Sequence, residues 1–236
     1  MRRLNVVGVS GSLQAPSKTI ALVDAIIAEL GTHLEIDSHV IKLNELGPHF
    51  AGALSRTELP DLVESELRRI EEADLLVVAS PVYRASFTGL FKHLFDFVDQ
   101  DALIDKPILL AASGGSERHA LIIEHQFRPL FSFFQALTLP LGIYAHDSDF
   151  TDYKVSSGYL EERIRKVVAR SLPIIVANVD DFASDLVAGR LGSGAVGGLG
   201  SGGLAADDID SLDVDSVFRE ELEAQATMPR VIRLLS

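Results

Sequence analysis

The chain has 236 residues, no cysteine and a formal net charge of −13, with 47% hydrophobic and 23% charged residues. Such a balance fits a soluble globular domain with a real core and a short appendage. It excludes disulfides, thiolate metal sites and thiol redox chemistry, and it argues against nucleic acid or an anionic membrane as a partner.

A cysteine-free chain fits a reducing cytoplasm. The apolar run after the two arginines of MRRLNVVGVSG is too short for a secretory signal. No apolar run approaches the roughly 18 residues of a membrane-crossing helix. LNVVGV (4–9) reads as a buried strand, and SKTIALVDAIIAEL (17–30) as a helix with Ile20, Val23, Ile27 and Leu30 on one face. Ser17 suits its N-cap and Gly31 its end. LEIDSHVIKL (34–43) alternates like a half-exposed strand, and LPDLVESELRRIEEA (59–73) is an amphipathic helix with proline near its start. DLLVVASPVY (74–83) is a second buried strand, SFTGLFKHLFDFVD (86–99) a helix, and KPILLAASGGS (106–116) a third buried strand. A long helix over 117–137 is expected to bend near Pro129, followed by a last strand over 138–145. A final helix over 157–187 carries an interruption near Pro173.

Apolar strands alternating with helices predict a parallel sheet covered on both faces. Five strands in this rhythm predict an α/β, flavodoxin-like doubly wound fold with strand order 2-1-3-4-5. The domain is expected over residues 1–188. The glycine- and serine-rich stretch 189–206, the acidic stretch 207–225 and the closing MPRVIRLLS read as a flexible linker and tail over 189–236. Ile209, Leu212, Val214, Val217 and Phe218 leave room there for a short docking helix.

Open parallel sheets bind ligands beyond the carboxyl ends of their strands. Three such ends carry unusual residues: VSGSLQAPSKT, ASPVYRASFTG and ASGGSERH. In the first, Ser12, Ser17, Lys18 and Thr19 fall at the spacing of the triphosphate loop G-x-x-x-x-G-K-S/T, with serine at both glycine positions. That site also needs an acidic residue at a neighbouring strand end to hold Mg²⁺, and VVASP and LLAASGG offer none. The dinucleotide fingerprint fails as well, since Gly8 and Gly11 lie three apart. A monophosphate needs only hydroxyls from Ser10, Ser12, Ser17 and Thr19, backbone N–H groups and a helix N-terminus, with Lys18 optional. The same serines also serve to turn the chain and cap the helix. Ser80-Pro81-Val82-Tyr83 makes a stiff turn whose ring can lie against a flat ligand, or a packed turn. Ser113-Gly114-Gly115-Ser116 admits close backbone approach, or is a plain strand-to-helix turn.

These segments resemble one family. GSLQAPSKT resembles the GSxRxxSxT/N phosphate loop of NAD(P)H-dependent FMN reductases, and SPVYRASFTGLFKHLFDFVD their PVY segment and following helix. ALIDKPILLAASGGSERHALIIEHQFRPLFSFFQALTLPLG resembles the NADH-dependent branch that serves alkanesulfonate and methanesulfonate monooxygenases. The likeness covers residues 4–170. It implies a flavodoxin-like fold, a homodimer or homotetramer, and FMN reduction by NADH, with NADPH as the other donor. Free reduced flavin then passes to a flavin-dependent monooxygenase.

The resemblance matches Ser10, Ser12, Ser17, Lys18 and Thr19 to the phosphate loop, with Gln14 where many relatives have arginine. It matches Pro81, Val82, Tyr83 and Arg84 to the PVY segment and Ser113, Gly114, Gly115 and Ser116 to the glycine turn. His125 falls where some sulfonate-linked relatives carry an extra tyrosine in a π-helical bulge at the tetramer interface. No acid, base or metal ligand is expected: hydride transfer is cofactor chemistry, and the seven histidines show neither H-x-x-x-H nor H-E-x-x-H. An FMN-containing quinone or azo reductase, and a flavodoxin-like electron carrier, are the alternative readings.

Overall fold

Strands this apolar cannot face water on either side, and the helices between them supply both covers. A computed structural model of the protein describes residues 3–187, of which 3–184 belong to the compact unit Met1–Ser184. The expected linker and tail over 189–236 lie outside the described residues.

The chain runs β1 (Leu4–Ser10), α1 (Lys18–Gly31), β2 (Ile36–Lys42), the single turn α2 (Leu43–Leu46), α3 (Asp61–Glu72), β3 (Leu75–Pro81), α4 (Gly89–Asp96) and β4 (Pro107–Gly114). It continues through a π turn (Ile123–Phe127), α5 (Arg128–Phe133), β5 (Leu137–Thr138), β6 (Ile143–His146), β7 (Phe150–Thr151), β8 (Lys154–Val155) and α6 (Gly158–Val187). The main path of the sheet is β2-β1-β3-β4-β5, with β6 also on β4, and each of these pairs is parallel. This is the flavodoxin-like order predicted from the sequence.

Local chemistry accounts for the boundaries. The Ser17 side chain accepts the Ile20 N–H at 3.3 Å and caps α1. The helix runs through Gly31, and Thr32, in right-handed conformation, ends it. Helix α3 buries Val63, Leu67 and Ile70, spaced along one face. Helix α4 starts three residues later than expected because Tyr83 and Ser86 first close a tight turn, N–H to O in both directions at 2.8 and 3.1 Å.

Three expectations change. The segment 117–137 is no single bent helix: a 3-10 turn (Glu117–His119), the π turn and α5 replace it, and the irregularity precedes Pro129. The last strand is split into β5 and β6 by Leu139–Gly142, which includes Pro140. Arg128 donates to the carbonyls of Leu139 and Pro140 at 3.0 and 2.9 Å, and Arg163 to that of Gly142 at 2.8 Å. Guanidinium donors thus replace the ladder bonds lost at the break. Helix α6 continues through Pro173, anchored before it by Leu160, Ile164, Val167 and Val168 and after it by Ile175, all buried.

Because side chains alternate across a strand, each central strand feeds two cores. Val7, Val9, Leu76, Val78, Ile108 and Leu110 face a cluster built with α3, α4, the π turn and α5. Val6, Leu75, Val77, Leu109 and Ala111 face a second cluster built with α1 and α6.

Candidate functional site

Parallel strands put their carboxyl ends on one edge of the sheet. The register aligns Ser10 with Ala79, and Pro81 with Ser113, so the three singled-out loops leave adjacent strands side by side.

They are tied together by hydrogen bonds. The Gly11 N–H donates to Ala79 O at 2.7 Å, and the buried Thr88 hydroxyl donates to Gly11 O at 2.8 Å. The Thr88 N–H in turn donates to the Ser80 hydroxyl at 3.1 Å. A Cβ on Gly11 would stand 2.8 Å from Ser80 Oγ and 2.9 Å from Phe91, so only glycine lets the first loop pass this close to the second. Between the first and third loops, the Thr19 and Ser113 hydroxyls share a buried hydrogen bond of 2.7 Å. The second and third loops meet where the Val82 N–H donates to Ser113 O at 2.8 Å.

Within the first loop, Ser12 Oγ donates to Gln14 O at 3.1 Å and accepts the Gln14 N–H at 3.4 Å. Ser17 caps α1, and Gln14 is exposed. Ser10 is fully buried, and its hydroxyl has no hydrogen-bond partner. The N–H groups of Lys18 and Thr19 open α1, where no intrahelical acceptor exists for them. Ser17 Oγ accepts a bond and keeps its own proton to donate. The loop therefore combines hydroxyls, open backbone donors and a helix N-terminus, a set suited to an anion.

In the second loop, Tyr83 is 43% exposed at the site edge. Arg84 and Ala85 take positive φ of 50° and 64°. Such left-handed conformations cost a non-glycine residue about 1–2 kcal/mol each, and strain of this kind gathers at ligand-binding loops. In the third loop, a Cβ on Gly114 would stand 2.6 Å from Tyr144 Oη and one on Gly115 2.9 Å from Asp147 Oδ2. The two glycines thus offer bare backbone in a place too narrow for side chains. All fourteen residues singled out in the sequence fall on these three loops. His125 lies in the π turn, and the Ser86 hydroxyl donates to Gln126 Oε1 of the same turn at 3.1 Å.

A fourth strand end escaped the sequence reading. HDSD, residues 146–149, starts on the last residue of β6 and turns beside the third loop. Tyr144 Oη donates to Ser116 O at 2.6 Å. The Ser148 N–H donates to His146 Nδ1 at 3.2 Å, which leaves Nε2 to donate to Gly115 O at 3.0 Å. Lys18 Nζ donates to Asp147 Oδ1 at 2.9 Å and to Asp147 O at 3.2 Å. The rule that drew attention to the other strand ends applied here too; the run of polar residues after IYA was the available signal.

Known proteins are similar to this chain. The chain is 57% identical over 175 residues to the NADH-dependent FMN reductase SfnE of Pseudomonas putida, covering 74% of this chain and 94% of the relative. It is 54% identical over 169 residues to an FMN reductase (NADPH) of Pseudomonas aeruginosa, covering 72% and 91%. Among solved structures, an oxidoreductase from Corynebacterium diphtheriae matches with a TM-score of 0.64 and 30% identity, over 75% of this chain and 99% of that one. The family model for NADPH-dependent FMN reductase matches residues 4–151, which span every loop of the site, and the chain belongs to that family.

Proposed function

We propose that this protein is an NADH-dependent FMN reductase that takes up FMN and a reduced nicotinamide and releases reduced FMN to a flavin-dependent monooxygenase of the sulfonate type. The observation that carries this reading is the convergence of a hydroxyl-rich helix N-terminus, a strained aromatic turn and a bare glycine turn on one sheet edge, in a chain of this family. The residues fit FMN. An anion-binding loop suits its phosphate, and the glycine cradle admits the edge of a flat ring.

Bound FMN would supply the hydride-accepting ring, and the nicotinamide the hydride. The chain's part is to bind, align and exclude water. Ser10, Ser12, Ser17 and Thr19, with the first N–H groups of α1, would take the phosphate; Gln14 stands beside them without a charge. Pro81, Val82, Tyr83 and Arg84 would border the ring, with Tyr83 stacking at its open side. Ser113, Gly114, Gly115 and Ser116 would present backbone N–H groups to the ring's polar edge. Tyr144 and His146 hold the Ser116 and Gly115 carbonyls and so fix where that backbone points. No side chain is needed as an acid or base.

The reading extends to a cytoplasmic homodimer or homotetramer. Phe133 is 61% exposed beside a groove of about 480 Å³ lined also by Phe95, Val98, Leu130 and Phe134, and an oligomer would cover these rings. No helix among the described residues is long and apolar enough to cross a membrane.

The test is NADH oxidation by the purified protein with and without added FMN, repeated with NADPH. Turnover that depends on free FMN, with a higher kcat/KM for NADH, is expected. No oxidation of either nicotinamide would overturn the reading. Flavin retained through turnover would instead indicate a quinone or azo reductase.

A further inference from the structure

Lys18 is the cationic side chain of the first loop, and its ammonium bonds across to Asp147 rather than to the loop's hydroxyls. Two of its donors go to Asp147, one to Oδ1 at 2.9 Å and one to the main-chain O at 3.2 Å. The second carboxylate oxygen, Oδ2, lies 2.9 Å from the place a Gly115 Cβ would occupy. One carboxylate therefore pairs with the first loop, across 129 residues of chain, and lies against the third.

Resting on the FMN reading above, we infer that Asp147 sets the affinity for the flavin phosphate. It neutralises Lys18 and holds it off the phosphate loop, so FMN is bound by hydroxyls and helix dipole and can leave after reduction. Asp147 is a positioning residue that acts through Lys18. Its pair is partly exposed, with side chains 33% and 52% accessible, so it adds little to the stability of the fold. Its effect on a dianion is larger, because removing the carboxylate both deletes a like charge and frees a cation. Of the neighbouring titratable groups, Asp149 accepts the His146 N–H at 2.8 Å, and His146 is bonded to Ser148 and Gly115. No other cation is bonded to Asp147 among the described residues.

The experiment compares dissociation constants for FMN and for riboflavin, which has the ring without the phosphate, in wild type, Asp147→Asn, Lys18→Met and the double variant. Asp147→Asn is expected to tighten FMN about five- to tenfold at low salt and to leave riboflavin unchanged. The gain should shrink to about twofold or less in the Lys18→Met background, and reduced FMN should leave more slowly. An unchanged FMN constant, an equal change for both flavins, or loss of both flavins would overturn the inference, the last two marking Asp147 as a structural residue of the turn. An undiminished gain without Lys18 would overturn the route through that residue. Failure of wild type to bind either flavin would sink the functional reading instead, so the two failures are distinguishable.

Discussion

The two faces of the sheet are filled by different means. Beneath α1 and α6 the core is aliphatic, built from Leu22, Val23, Ile26, Leu30, Ile164, Val167 and Ile175, with Phe150 the ring in its buried set. Beneath α3, α4, the π turn and α5 it is aromatic, with Phe50, Phe91, Phe95, Phe97, Phe127, Phe131 and Phe134. The covering helices explain the contrast. α1 and α6 span 14 and 30 residues and lay regular rows of branched side chains on the strands. α4 and α5 span 8 and 6 residues with a π turn before the second. Irregular helices leave irregular gaps, and large rings fill them, in tilted contacts where Phe91 meets Phe87, Phe95 and Phe127 at 4.9–5.5 Å and edge-on where Phe95 meets Phe131 at 5.0 Å. The regular face holds α1, which begins at the candidate anion loop. The irregular face holds the strained turn and the ring-lined groove.

If that contrast has functional weight, substitutions on the two faces should separate stability from ligand binding. Phe127→Ala should cost about 3–5 kcal/mol in denaturant unfolding. It should also weaken FMN binding, because the Phe127 ring meets Phe87, four residues past Tyr83, edge-on at 5.5 Å. Ile175→Ala on the aliphatic face should cost about 2–5 kcal/mol while leaving the FMN constant unchanged where the protein is folded. Equal effects on FMN would break the comparison.

Gly11→Ala should come next, at about 1–3 kcal/mol of overpacking, since its Cβ would press on Ser80 and on Phe91 of the aromatic core. Titration should show FMN weakened more than the stability loss explains, because both ligand loops must shift.

A buried charge distinguishes the aromatic face again. Burial pulls Lys106 down to about 8, against the smaller opposing pull of Asp74, Glu71 and Glu72, while its ammonium donates to Glu71 O at 2.6 Å at the end of α3. In the unfolded chain the group titrates near 10.5. Below pH 8 both states are charged, and the cost of burying the charge is fully present. Between pH 8 and 10.5 the unfolded chain binds more protons, so this group's contribution to stability rises with pH. Lys106→Met should flatten that rise in melts taken across the window; an identical pH slope in both proteins would count against it. The smallest effect is expected at Ala85→Gly. Relief of the positive φ, less the greater freedom glycine has in the unfolded chain, should stabilise by about 0.5 kcal/mol, measurable as a small rise in Tm.

Much of this molecule was legible one segment at a time. LNVVGV, DLLVVASP and KPILLAAS could only be buried strands, Ser17 announced α1, and the parallel order followed from the alternation. The three candidate loops stood out because their glycines, prolines and hydroxyls interrupt apolar runs. The π turn was raised by resemblance alone and left open, since one extra residue in a helical turn leaves almost no mark on periodicity. The split between β5 and β6 was missed because the donors that make it tolerable, Arg128 and Arg163, come from other elements.

What the sequence by itself determined is most of the elements and the residue types that stand at three of the strand ends, because propensity, period and capping act over a few residues. What only the tertiary structure decided is which of those ends touch. Thr19 meets Ser113 across 94 residues, Thr88 meets Gly11 across 77, and Lys18 meets Asp147 across 129. Such pairs form because parallel strands bring distant loops to one edge, and no local pattern records that a lysine opening the first helix will pair with an aspartate just past β6.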